Sequence, residues 1–102
     1  MSAVAEESVI IQAWNTVLFD KFCRFRHLLV EGLANHSNAA LARHAYAPGM
    51  RVLDIGCGFG DSTIRIAQSV APAGEAVGMD CAERFIGICA ADARAAGAGN
   101  AH

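Results

Sequence analysis

Residues Arg51-Val52-Leu53-Asp54-Ile55-Gly56-Cys57-Gly58-Phe59-Gly60 join an apolar run, an acid and three glycines at alternate positions. Glycines at such a turn let backbone approach a ligand closely and take positive φ angles. A helix starting near Asp61 would aim its unpaired N–H donors and partial positive charge at the same space. A second acid, Asp80, lies 20 residues past Gly60 at the end of another apolar segment. A carboxylate there can accept hydrogen bonds from both hydroxyls of a ribose. The spacing points to a nucleoside-bearing cofactor at the carboxyl ends of parallel strands.

The register of the glycines narrows the cofactor. A dinucleotide fingerprint needs Gly-x-Gly-x-x-Gly, and its last position falls on Asp61 or Thr63 in the two available registers. Both fail, and an acid at position 61 would repel a pyrophosphate. Asp54-Ile55-Gly56-Cys57-Gly58-Phe59-Gly60 instead resembles the first motif of the class I S-adenosylmethionine-dependent methyltransferases, and Val77-Gly78-Met79-Asp80 resembles their second. The resemblance runs from about Trp14 to the last residue and is strongest between Val52 and Phe85. It is similar to the small-molecule branch that includes quinone-ring methyltransferases.

S-Adenosylmethionine carries a cationic sulfonium and an ammonium but no phosphate, so acids near the turn attract it. The resemblance implies that Asp54 faces the methionine end while Gly56, Cys57, Gly58 and Gly60 wrap the cofactor. It places the ribose hydroxyls on Asp80, the adenosine beside Cys81 and the adenine against Phe85. One departure is Ala82, where the family often has a small hydroxyl residue that caps the next helix. Asp80 or Cys81 must cap it instead.

The implied activity is transfer of a methyl group from S-adenosylmethionine to a small-molecule acceptor, by proximity and alignment. No residue is nominated as catalytic. The family's fold is a seven-stranded sheet, so the chain is expected to represent its amino-terminal portion. The alternative is a non-catalytic nucleotide-binding or interaction module. An incomplete sheet exposes the edge of its first strand and invites self-association.

The elements that position these residues follow from periodicity. Trp14, Leu18, Phe22, Phe25, Leu29 and Leu33 fall at steps of three and four, which predicts one long amphipathic helix from about Ser8 to Asn35. Such a stripe reads as core packing. The alternative is a lid over the cofactor, with Trp14 or Asn15 reaching inward. Gly32 and Asn35-His36-Ser37-Asn38 suggest a break, with Ser37 or Asn38 capping a short helix to about His44. After the Pro48-Gly49 turn, Arg51 to Ile55 reads as a strand buried on both faces. Asp61 to Val70 reads as a helix, ended by Pro72-Ala73-Gly74. Glu75 to Met79 is a second strand, Ala82 to about Ala96 a helix, and Ala101-His102 the start of a third strand. The expectation is an α/β chain: an amino-terminal helical segment, 1–47, then the first half of a Rossmann-like domain, 48–102. Its parallel sheet is incomplete and flanked by helices.

Bulk properties bound these readings. At 102 residues, 54% of them apolar, the chain suits one small domain. A net charge of −2, with Lys21, Arg24, Arg26 and Arg43 scattered, argues against nucleic acid or anionic membrane as partner. Acids at Glu6 and Glu7 are unlike a secretory leader, and no apolar run is long enough to span a bilayer, so a cytoplasmic location is expected. Cys23, Cys57, Cys81 and Cys89 form no Cys-x-x-Cys pair and have no adjacent His, which predicts reduced, mostly buried thiols and no metal site. His27, His36, His44 and His102 read as surface or helix-end residues.

Overall fold

Ser8 opens the part of the chain, residues 8–102, that the computed structural model describes. Its hydroxyl accepts the Ile10 N–H at 3.3 Å and so caps the first helix. Three helices follow in place of the single long one expected from the sequence: α1 (Val9–Asn15), α2 (Val17–Arg24) and α3 (Arg26–Arg43). The first break is at Thr16, with φ −126° and ψ −97°, and the second at Phe25, with φ −110° and ψ 17°. The Thr16 hydroxyl donates to Gln12 O at 2.7 Å, a local bond that competes with the helical ladder. The breaks rotate the apolar stripe, so Phe25 and Leu33 are exposed and off-stripe Phe19 is the buried residue.

The expected break near Gly32 does not occur, and α3 runs unbroken through 35–38. A mid-helix glycine costs only about 1 kcal/mol. Asn38 also turns outward from the backbone: its Oδ1 accepts from Arg65 Nη1 at 2.8 Å.

β1 (Arg51–Ile55), α4 (Asp61–Val70), β2 (Glu75–Met79) and α5 (Glu83–Ala95) complete the chain. The strands pair in parallel from Arg51↔Glu75 to Ile55↔Met79. On the other edge of β2, Ala101 bridges Ala76 in parallel, and Gly78 N–H donates to His102 O at 2.8 Å. The third strand therefore begins where the sequence places it. This α/β arrangement, a parallel sheet with flanking helices, is the architecture the pattern of apolar runs implies.

Two cores hold it. Ile66, Ala67 and Val70 of α4 pack on Ala76 and Ala98, with Val52 and Tyr46 at the margin. Phe85 of α5 sits at the centre of the other, with ring centroids 4.9 Å from Phe59, 5.0 Å from Phe19, 6.1 Å from Phe22 and 6.2 Å from Trp14. Tilted and edge-on rings at these separations are favourable beyond their buried area. The second core docks α1 and α2 onto α5. Arg84 adds its guanidinium, 4.0 Å from the Phe19 ring centroid and donating to Asn15 O at 3.1 Å.

The expectation that β1 is buried on both faces fails. Val52 and Asp54 face α4, whereas Leu53 is 56% and Ile55 75% exposed. All the helix packing on the described sheet lies on one side, so the near-continuous apolar sequence has only half its partners.

Candidate functional site

The glycine loop leaves β1 and hooks at once over the end of β2. Gly56 N–H and Cys57 N–H both donate to Met79 O, at 2.7 and 3.0 Å. Gly56, Gly58 and Gly60 all have positive φ, 72°, 56° and 86°, and Gly60 is the left-handed cap of α4. A side chain on Gly60 would have no room, because its Cβ would lie 2.9 Å from Cys89 Cβ and 3.2 Å from Cys89 Cα. The third glycine thus lets α5 close against the loop.

Asp80 locks the loop from the neighbouring strand. Its Oδ2 accepts Gly58 N–H at 3.0 Å and its Oδ1 accepts Ala82 N–H at 3.0 Å. One carboxylate thereby fixes the glycine turn and the residue that precedes α5, but it accepts no N–H of the helix itself, so the cap expected from Asp80 or Cys81 is not made. A first-turn N–H of α5 finds its acceptor from afar: Arg84 N–H donates to Asn15 Oδ1 at 3.2 Å. Asn15 holds the helix start rather than reaching into the cleft. Carboxylate oxygens have about four lone-pair sites between them, so Asp80 keeps capacity for further donors.

A cavity of about 480 Å³ opens over this loop, within the range of ligand pockets. Of the residues proposed from sequence, Gly56, Cys57, Gly58, Asp80, Cys81 and Phe85 line it, whereas Asp54 and Gly60 do not. Asp54 lies beneath the loop, where its Oδ2 accepts from the Thr63 hydroxyl at 2.7 Å. Thr63 is fully buried, a polar residue on the α4 face formed otherwise by Ile66, Ala67 and Val70. Sequence reasoning missed its role, although a lone hydroxyl on an apolar face was the available signal. Replacing Thr63 by valine should cost about 1–3 kcal/mol in urea unfolding, because Asp54 loses its donor, whereas serine should retain most of the stability.

Burial pushes the Cys57 thiol up from 9.0 to about 12, reinforced by Cys89 and by the charges of Asp80 and Asp54. Cys57 is therefore a neutral thiol at physiological pH and not a nucleophile. Burial likewise raises Cys89. The expectation of mostly buried thiols is corrected: Cys23 and Cys81 are exposed and only Cys89 is buried. His44 is the C-cap of α3, as a helix-end histidine.

The opposite wall comes from the amino-terminal stripe, whose alternative reading is a lid over the cofactor: Trp14 lines the cavity, whereas Asn15 does not. Leu29, Val30 and Leu33 of α3 face the loop, joined by Trp14 and Phe22. Asp61 and Ser62 complete the polar side. Asp61 pairs with Arg26 at 3.3 Å, and the same guanidinium donates to Asp92 at 2.6 Å. Among the described residues no cluster of His, Cys, Asp and Glu could hold a metal ion, and no helix is long and apolar enough to cross a membrane.

A parallel β1–β2 pair flanked by helices, with a glycine turn after β1 and an acid after β2, is the architecture of part of a Rossmann-like α/β domain. The chain belongs to a family described as a methyltransferase domain, whose sequence model matches residues 47–102. A demethylmenaquinone methyltransferase of Symbiobacterium thermophilum is 38% identical over 48 residues, 47% of this chain and 19% of that protein. Nocamycin O-methyltransferase of Saccharothrix syringae is 42% identical over 52 residues, 51% of this chain and 19% of that protein. The chain thus spans about a fifth of the curated relatives it matches. Among solved structures, a SAM dependent methyltransferase from Aquifex aeolicus superposes with TM-score 0.59 at 23% identity, over 65% of this chain and 35% of that one. The cyclase SpnF superposes with TM-score 0.56 at 26% identity, over 66% of this chain and 24% of that one.

Proposed function

We propose that this chain forms the S-adenosylmethionine-binding part of a methyltransferase that modifies a small molecule. The observation that carries the reading is the lock between Gly58 N–H and Asp80 at 3.0 Å, inside a loop with three positive-φ glycines. It sets a carboxylate, exposed backbone and the amino end of α4 around one cavity. The donor set fits the cofactor: Asp61 and Asp80 are the charged groups lining the cavity among the described residues, as a cationic ligand without phosphate requires.

In this reading Asp80 takes the ribose hydroxyls, and backbone of Gly56, Cys57 and Gly58 closes on the cofactor. Cys81 and Phe85 form its adenine side. Asp54, fixed by Thr63, sets negative potential beneath the methionine end, and Gly60 fixes α4 against the loop. Bound S-adenosylmethionine supplies an activated methyl group on a cationic sulfonium. The chain's own contribution is to bind, orient and shield it from water. The demethylmenaquinone and nocamycin enzymes among its relatives support a small organic acceptor.

Calorimetry on the chain tests this. S-Adenosylmethionine or S-adenosylhomocysteine should bind in the micromolar range and NAD should not; NAD binding alone would overturn the reading. The likeness to a cyclase favours one second reading, a binding module without methyl transfer, since fold does not fix chemistry. A radiolabelled methyl-transfer assay across acceptors separates the two, because turnover excludes the module. Among the described residues the outer edge of β1 has no strand partner and Leu53 and Ile55 are exposed, which also supports association with another chain.

A further inference from the structure

The cavity has two chemically different walls. On one side lie the glycine loop, Asp61, Ser62 and Asp80; on the other lie Leu29, Val30 and Leu33 of α3, with one hydroxyl, Ser37, and with Trp14 and Phe22. The α3 wall contributes nothing to either core. No residue of α3 is buried, Val30 is 38% exposed and Leu33 58%. Apolar side chains held open over a binding loop mark a ligand surface more than a folding one. Trp14 and Phe22, at 5.3 Å and 66° to one another, add aromatic surface suited to a flat ring.

Charge narrows the ligand further. Among the described residues lining the cavity there is no Lys, Arg or His, while two carboxylates are present. Arg26, the partner of the lining residue Asp61, is held by Asp92 at 2.6 Å and Asp61 at 3.3 Å, so its charge is already matched. An anionic ligand entering here would lose hydration, meet the Asp80 carboxylate, and gain no cation from the lining, because Arg26 is committed to Asp61 and Asp92. An uncharged ring loses little hydration and covers the α3 wall.

We infer that Leu29, Val30 and Leu33 form the acceptor platform, and that the acceptor is an uncharged, ring-bearing molecule rather than a carboxylate or phosphate ester. The inference rests on the methyltransferase reading for the word acceptor, but the selectivity belongs to the cavity itself. Val30 and Leu33 are then specificity-determining residues that leave the cofactor side untouched.

The test uses two probes that share one ring system, 2-naphthol and 2-naphthoate, neutral and anionic at pH 7.5. Both are titrated calorimetrically into the chain with and without S-adenosylhomocysteine. Naphthol should bind at least tenfold more tightly than naphthoate. Val30→Glu and Leu33→Glu, at exposed positions and checked by circular dichroism, should each weaken naphthol at least tenfold while S-adenosylhomocysteine affinity stays within twofold. Asp61→Asn, which removes one carboxylate and leaves Arg26 paired with Asp92 alone, should narrow the naphthol preference severalfold. Naphthoate binding as tightly as naphthol, or α3 variants that leave naphthol unchanged, would overturn the inference. If the naphthol pattern holds while S-adenosylhomocysteine does not bind, the neutral-ligand site stands and the cofactor reading falls.

Discussion

Gly60→Ala should lose roughly 2–5 kcal/mol of stability, from a left-handed backbone cost of about 1–2 kcal/mol and an overpacking cost of about 1–3 kcal/mol. Both causes are visible at one atom. Gly60 has φ 86°, and a Cβ there would stand 2.9 Å from Cys89 Cβ, in a contact that includes α5 backbone. The helix cannot yield without pulling Phe85 from the aromatic core that also seats Phe19 and Phe59. Small domains have about 5–15 kcal/mol in total, so the loss is a large fraction. Urea unfolding followed by fluorescence of Trp14, the sole tryptophan, would measure it. Adding Cys89→Ala should recover about 1 kcal/mol by removing the thiol, with the remainder held by φ and by the residual Cβ contact. A Gly60→Ala loss below about 0.5 kcal/mol would show that α5 is not seated on the loop.

Asp80→Ala carries the second large effect, because two structural bonds and the proposed ribose contacts meet on one carboxylate. Gly58 N–H and Ala82 N–H both lose their acceptor, which should cost about 1–3 kcal/mol. Loss of two charge-assisted bonds to ribose, about 1.5–3 kcal/mol each, should weaken the cofactor at least ~100-fold. Asp80→Asn should fall between, since its remaining oxygen can still accept from Ala82 while the amide cannot accept from Gly58. A comparison of adenosine with 2′,3′-dideoxyadenosine separates a ribose contact from a merely structural role. The native chain should prefer adenosine, and Asp80→Ala should bind both alike. A preference that survives the substitution would remove Asp80 from the ribose site.

Thr63 and Asn15 show why these effects concentrate around the loop. Each is a single polar group, from α4 or from the end of α1, that completes what a strand-end acid or helix start leaves open. Thr63 could have been found as the one hydroxyl on the buried face of its helix. Asn15 could not, because it lies 69 residues before the N–H it accepts.

The bounds of β1, α4 and β2 follow from the sequence because local rules decide them: apolar runs, helical spacing, and turns at Pro72 and at the glycines. The loop's positive φ angles were likewise legible, since alternate glycines after a strand have few other uses. The amino-terminal helices were not. Their apolar period fits one straight helix, and the breaks at Thr16 and Phe25 accompany a second core in which Phe19 and Phe22 meet Phe85. Only tertiary packing could select that arrangement over the local pattern. The same packing left Leu29, Val30 and Leu33 facing the glycine loop and thereby made a cleft. By itself the sequence determined the strand-end acids and the turn, because apolar runs and glycine freedom act within a few residues, and the proposed cofactor rests on the resemblance those residues carry. The tertiary structure decided that Asp54 lies beneath the loop, that Asp80 locks it, and which of the two readings of the amino-terminal stripe, core or lid, each residue takes. Those outcomes depend on contacts between residues far apart in the chain, which no local spacing encodes.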